Sequence, residues 1–180
     1  GDVMYDSVLY YNERACSFST ILNDLSLDPN KYIICTIHRP ENTDHLNRLE
    51  SIIDALNELN QDVKIIVVLH PRTNKVIKKQ NIYCGFTIIN AIGYLDMLNM
   101  VKNSKLIITD SGGLQKEAFF LQKYCITLRN ETEWTELVTN GFNLLAGSSK
   151  RNIFSAYKKI LEKDNKFINE FYGDGNAGSL

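Results

Sequence analysis

The sequence predicts an α/β domain with a parallel six-stranded sheet covered by helices on both faces. Two observations carry this. The strand-like runs are continuously apolar, which marks strands buried on both faces. From about residue 32 onward they alternate with segments of helical periodicity, the pattern of βαβ units.

The first run is Tyr32-Ile33-Ile34-Cys35-Thr36-Ile37, ended by His38-Arg39-Pro40. Leu46, Leu49, Ile52, Ile53, Leu56 and Leu59 then recur at three- and four-residue spacing, an amphipathic helix. Lys64-Ile65-Ile66-Val67-Val68-Leu69 is the second strand, ended by His70-Pro71-Arg72, with a short helix through Val76 and Ile77. Phe86 to Ile89 reads as the third strand, and Tyr94 to Val101 as a helix with Leu95, Leu98 and Val101 on one face. Lys105 to Thr109 is the fourth strand, turned by Asp110-Ser111-Gly112-Gly113 into a helix through Leu114, Ala118 and Leu121. Tyr124 to Leu128 is the fifth, followed by a short helix from Glu133 to Thr139. A weaker sixth strand starts at Gly141-Phe142-Asn143, and Ile153, Ala156, Tyr157, Ile160 and Leu161 mark a last helix. The default order for such a doubly wound, Rossmann-like sheet is 3-2-1-4-5-6.

The two ends differ from this core. Residues 1–30 read as a helix and linker without a strand beneath them, so residues 1–23 are expected to pack loosely or against a neighbour. Residues 31–170 form the domain proper, and 171–180 a glycine-rich tail that stops without a helix.

Composition bounds the function. With 180 residues, 44% of them apolar, the chain can bury one ordinary core but not two. Twenty basic against 21 acidic residues leave a net charge of −1, which gives no footprint for nucleic acid or an anionic membrane. No apolar stretch approaches the ~20 residues of a bilayer span, and Gly1 to Asp6 lacks the pattern of a signal peptide. The four widely spaced cysteines suggest neither a disulfide framework nor a zinc site, and a reduced, cytoplasmic setting is expected.

Chemistry gathers after the strands. His38-Arg39-Pro40 and His70-Pro71-Arg72 each put an imidazole and a guanidinium where an open parallel sheet binds ligands. The plainer alternative is that the prolines stop strands and the charges are solvated. Asp110-Ser111-Gly112-Gly113 is the sharper signal. Ser111 is a natural N-cap, the glycines allow close backbone approach, and the helix start favours an anion. Neither a Walker loop nor a G-x-G-x-x-G is present. Glu117, one turn into the helix, would repel a phosphate but could accept two hydrogen bonds from a ribose diol. Together these suggest a nucleoside diphosphate. Thr132 is read as a cap for the next helix, Trp134 chiefly as packing, and His45 and Lys75, Lys78 and Lys79 as solvated.

His38-Arg39-Pro40-Glu41-Asn42, His70-Pro71-Arg72-Thr73, Asp110-Ser111-Gly112-Gly113-Leu114-Gln115-Lys116-Glu117-Ala118 and Leu128-Arg129-Asn130-Glu131-Thr132-Glu133-Trp134 also carry a resemblance. The sequence resembles the C-terminal half of the non-hydrolysing UDP-N-acetylglucosamine 2-epimerases. Gly1 to Tyr11 is similar to that family's inter-domain segment, and Tyr172 to Ala177 to its closing motif. The resemblance implies a GT-B fold that binds nucleotide at the inter-domain cleft. It also implies interconversion of UDP-GlcNAc and UDP-ManNAc for cell-envelope polysaccharide, with no metal or nicotinamide cofactor, by loss of UDP and its return after inversion at C2.

Carried over by position, the resemblance places the diphosphate on Ser111, Gly112 and Gly113, the ribose on Glu117, and the catalytic His38, with Arg39 beside it, near the leaving diphosphate. Ile92 and Met97 take positions where the family commonly has glutamine and phenylalanine on the nucleotide, and Trp134 stands where some members carry a substrate-contacting arginine. The implied partners are UDP, a UDP-N-acetylhexosamine and an N-terminal domain that supplies the acid/base carboxylates, within a homodimeric full-length enzyme. A chain of this extent is expected to be an excised or split domain without turnover of its own. Two alternatives share the nucleotide site: a hydrolysing 2-epimerase, separated by its products, and a GT-B glycosyltransferase, which would not be expected to carry both the H-R-P-E-N and S-G-G-L-Q-K-E-A runs.

Overall fold

A computed structural model of the chain describes residues 1–163, 167 and 171–179. Six parallel strands run in the order β3-β2-β1-β4-β5-β6: β1 (Tyr32–Ile37), β2 (Lys64–Leu69), β3 (Thr87–Asn90), β4 (Leu106–Thr109), β5 (Cys125–Thr127) and β6 (Asn143–Leu145). This is the predicted doubly wound, Rossmann-like sheet in its predicted order, with strand ends moved by a residue or two. The helices are α1 (Val3–Phe18), α2 (Ile21–Asp24), α3 (Pro40–Thr43), α4 (Leu46–Leu59), α5 (Pro71–Lys79), α6 (Tyr94–Asn103), α7 (Gly112–Phe120), α8 (Thr135–Thr139) and α9 (Lys150–Leu161). The short helices α2 and α3 were not legible as periodicity, because one turn carries no repeat. Both Pro40 and Pro71 sit in the first turn of a helix after an extended residue, so each starts a helix as well as ending a strand.

The core has two layers because successive strand residues face opposite ways. Ile33, Cys35, Ile37, Ile65, Val67 and Leu69 pack with α4 and α9 residues such as Ile52, Leu56, Ile153 and Ile160. Ile34, Ile66, Val68 and Ile107 pack on the other side with Met100 and Val101 of α6 and Leu114 and Ala118 of α7. The sheet is not apolar on both faces throughout. Thr87, Ile88 and Asn90 of β3 are exposed, as an edge strand allows. Cys35 and Cys125 are buried and free, with thiol pKa values pushed up by burial, that of Cys125 to about 12. No described helix is long and apolar enough to cross a membrane.

The expectation of a loose N-terminal segment is overturned. Helix α1 packs against α6 and α7, and Val8 and Ala15 are fully buried. Asp2 caps α1 through the Met4 amide and also pairs with Lys116 of α7. The Lys116 ammonium lies over Trp134, Tyr172 and Phe120, at 4.3, 4.7 and 5.8 Å from the ring centroids. The tail is corrected too. Ala177–Ser179 form a 3₁₀ turn, and the Gly178 amide donates to Asp6 of α1. Its glycines serve this contact: Gly173 and Gly175 have φ of +88° and +85°, and a Cβ would meet Gly1 Cα at 3.0 Å and Leu9 Cδ1 at 2.5 Å. Sequence periodicity could not reveal these contacts, since helices of the same chain supply the partner surface. The expected domain boundary at residue 170 lies outside the described residues.

Helix α1 is therefore part of the cooperative core. Val8→Ala is expected to cost about 2 kcal/mol, from lost apolar burial and a residual cavity. A lower denaturant midpoint at unchanged m-value would show this, whereas a neutral result would return α1 to a loosely docked segment.

Candidate functional site

The strand order reverses between β1 and β4, and the two turns that follow these strands meet over that crevice. One buried carboxylate joins them. Asp110, just after β4, accepts hydrogen bonds from the His38 amide (3.1 Å to each oxygen), the Arg39 amide (3.0 Å) and Asn42 Nδ2 (3.0 Å). The His38 Nδ1 stands 3.1 Å from Asp110 Oδ1, and Arg39 Nε donates to the Asp110 carbonyl at 2.9 Å. Burial raises the Asp110 pKa, but bonds from His38, Asn42 and Arg39 outweigh it and hold the carboxyl below its ordinary value. Its acceptor capacity fixes a tautomer: His38 Nδ1 carries the proton given to Asp110, which leaves Nε2 as the ring's free nitrogen.

At the start of α7 each amide can be assigned. The Ser111 amide donates to Thr109 Oγ1 at 2.9 Å, and that hydroxyl shares a 2.5 Å bond with Thr36 across the β1–β4 pair. The Ser111 hydroxyl accepts from the Leu114 amide at 3.4 Å. The first-turn amides of Gly112 and Gly113 have no intrahelical acceptor by helix geometry, so they and the Ser111 hydroxyl proton are the donors open to a ligand. A Cβ on Gly113 would find only Met4 Cε, at 3.8 Å, whereas one on Gly112 would run into Glu133 Oε1 at 2.0 Å. The fold does not require glycine at 113.

A cavity of about 320 Å³ opens above these groups, lined among others by Thr36, His38, His70, Ser111, Gly113 and Glu117. Among the described residues, Glu117 is the one carboxylate on its wall. Burial raises the Glu117 pKa, and a hydrogen bond from the Tyr94 hydroxyl only partly offsets this.

Of the residues singled out in the sequence, His38, Ser111, Gly113, Glu117 and Met97 reach the cavity together. Gly112 is buried and not on the wall, and its carbonyl accepts from Trp134 Nε1 at 2.8 Å. Arg39, Ile92 and Trp134 are not on the wall. Arg39 is held by the Asp110 carbonyl and lies 3.8 Å from Glu133, Ile92 packs in the second core layer, and Trp134 covers Lys116. Thr132 does not cap the next helix: its hydroxyl donates to the buried Gln115 Oε1 at 2.7 Å, and Trp134 takes the cap position of α8. His45 is exposed at the start of α4, as expected.

Sequence reasoning missed the central role of Asp110, the part of Asn42 and the phenol on Glu117. The available signal for Asp110 was an acidic residue directly after an apolar strand, where burial makes a carboxylate demand several donors. His70 was noted as a strand-end residue, and its Nδ1 also caps α5 by accepting from the Arg72 amide at 3.3 Å.

The fold and cavity define a class: a GT-B-type, Rossmann-like domain with its cavity outside the carboxyl ends of the strands. The model of the family described as UDP-N-acetylglucosamine 2-epimerase matches residues 1–180, and the chain belongs to that family. A UDP-N-acetylglucosamine 2-epimerase homolog of Methanococcus maripaludis is 44% identical over 98% of this chain and 51% of its own length. A UDP-2,3-diacetamido-2,3-dideoxy-D-glucuronate 2-epimerase of Pseudomonas aeruginosa is 42% identical over 99% of this chain and 49% of its own. Among solved structures, the UDP-GlcNAc 2-epimerase of Methanocaldococcus jannaschii in complex with UDP-GlcNAc and UDP superposes with a TM-score of 0.90. It is 35% identical over 99% of this chain and 51% of that one. The chain thus spans about half the length of the relatives it matches.

Asp110→Asn keeps the volume but turns donors toward donors, and is expected to cost about 3 kcal/mol at pH 7. Because the folded-state pKa of Asp110 is lowered, its stabilisation is present above the unfolded carboxyl value of ~3.9 and fades as pH falls through the folded value. The gap between the wild type and Asp110→Asn should narrow on acidification below about pH 4. Denaturation curves at pH 3, 4 and 7 test this, and a gap independent of pH would remove the charged role.

Proposed function

We propose that this chain is the nucleotide-binding part of a 2-epimerase acting on a UDP-sugar with an acetamido group at C2. One observation carries the reading: Ser111 and Gly113 at the start of α7 and Glu117 one turn further share a cavity wall with His38. The diphosphate sits on Gly112, Gly113 and the Ser111 hydroxyl, where the helix dipole favours negative charge. Glu117 accepts from the ribose diol. The relatives' names support UDP-linked acetamido sugars, and the M. jannaschii structure is described with UDP-GlcNAc and UDP bound.

His38 Nε2 faces the diphosphate. Protonated there, the ring donates to the departing phosphate oxygen, while Asp110 on Nδ1 stabilises the imidazolium. UDP leaves from C1 as the C2 proton is removed, and both return with C2 inverted. With Glu117 committed to the ribose, the groups that take and return the C2 proton fall to the part of the relatives' length that this chain does not span. Metal and nicotinamide have no step in this scheme. Trp134, Arg39 and Ile92 act behind the cavity wall rather than on the ligand, and Met97 lines the nucleotide side. By this reading the complete enzyme is a cytoplasmic homodimer, and its sugar is UDP-GlcNAc or a close acetamido relative.

Titration of the 111–118 amides with UDP and with inorganic diphosphate separates the two subsites. Glu117→Gln is expected to weaken UDP about tenfold, a charge-assisted bond being worth more than a neutral one, and to leave diphosphate unchanged or slightly tighter. An equal loss for both ligands would overturn the assignment. Gly113→Ala is expected to weaken both ligands while the thermal midpoint holds or rises, because the fold has room for its Cβ. Unchanged affinities would place the diphosphate elsewhere.

A further inference from the structure

The donor amides of α7 are gripped through their own peptide units. In a trans peptide the N–H and C=O of one planar unit point in opposite directions, so a bond that holds the carbonyl also aims the amide. The Gly113 amide shares its unit with the Gly112 carbonyl. That carbonyl accepts from Trp134 Nε1 at 2.8 Å, in addition to the bond that helix geometry assigns it from the Lys116 amide. The preceding unit is held in the same way. The Gly112 amide shares it with the Ser111 carbonyl, which accepts from Gln115 Nε2 and from the Gln115 amide, each at 3.2 Å.

Two adjacent glycines need such a grip, because they are the backbone most free to rotate and make a poor first turn. The indole that supplies it is itself held. Its ring lies 4.3 Å from the Lys116 ammonium, which pairs with Asp2. The Trp134 amide donates to Thr132 Oγ1 at 3.4 Å, and the Thr132 hydroxyl donates to the buried Gln115 Oε1 at 2.7 Å, so one loop supports both peptide units. Glycine at 112 lets that loop come close, since a Cβ there would run into the carboxylate of Glu133, the residue before Trp134.

We propose that Trp134 is a positioning residue for the ligand's diphosphate: its indole N–H holds the Gly112 carbonyl and thereby aims the Gly113 amide. This rests on the reading of the α7 start as the diphosphate site. Gly113 lines the cavity whereas Trp134 does not, so the indole acts on the anion only through the peptide between them. The bond also polarises that peptide, which makes its N–H the stronger donor.

Trp134 is the chain's single tryptophan, so the indole can be replaced throughout the protein by benzothiophene, which has the same shape and sulfur in place of N–H. Trp134→Phe removes the same donor and keeps a ring beside Lys116. Both proteins are titrated with inorganic diphosphate and UDP, following the Gly112 and Gly113 amides by NMR. Each ligand is expected to bind roughly three- to tenfold more weakly, by the same factor, because the lost contact concerns the part they share. The ligand-induced shift at Gly113 should shrink while that at Gly112, whose unit Gln115 holds, persists. Unchanged affinity in the benzothiophene protein would overturn the proposal, even if Trp134→Phe binds poorly, because ring packing would then be the cause. Equal attenuation at both amides would make Trp134 a fold residue, and a loss confined to UDP would put its influence elsewhere in the nucleotide; each overturns the proposal. If diphosphate moves neither amide in the unaltered chain, the diphosphate reading fails first, and the two failures are distinguished.

Discussion

The site depends on a buried carboxylate that has to find its donors inside the protein. Asp110 is fully buried at the end of β4, where an anion without partners would cost several kcal/mol. Its partners come from the neighbouring strand's turn: two backbone amides, Asn42 and the His38 ring. Satisfying Asp110 therefore folds the His38–Arg39 turn against the start of α7. The same bonds set the direction of His38, so the buried charge and the orientation of the imidazole are one constraint.

Two carboxylates flank this turn, and their environments push them apart. Asp110 gathers enough donors that its pKa falls despite burial, whereas Glu117 has one phenol and its pKa rises. The difference lies in donor count. A carboxylate saturated from within is structural, and one left with spare acceptor sites on a cavity wall is available to a ligand. Between them, the Ser111 amide is consumed by Thr109, which leaves the glycine amides of the first turn without an intrahelical acceptor.

Helix α7 is held at its other face by the ends of the chain. Lys116, one residue before Glu117, turns inward to Asp2 and the rings of Trp134, Tyr172 and Phe120. A buried ammonium needs such a pair and such rings. The N-terminal helix and the glycine-rich tail thereby become part of what positions the helix start. Adjacent residues of one helix serve the clasp and the cavity because successive side chains point about 100° apart.

The sequence by itself determined the sheet, its parallel order and the helix-start donors, because continuous apolar runs, 3.6-residue periodicity and a Ser-Gly-Gly turn are local and physically legible. It also marked His38, Ser111, Gly113 and Glu117, each set by its distance from a strand end. Only the tertiary structure decided which partners these groups take. Asp110 lies more than seventy residues from the His38 turn it fixes, and Lys116 finds Asp2 across a separation of 114 residues. Trp134 and Arg39 carry polar groups suited to a ligand, yet packing turned them to the Gly112 and Asp110 carbonyls. Periodicity reports which face of an element is buried; it does not report what that face meets. Long-range contacts between side chains answer that, and no local pattern encodes them.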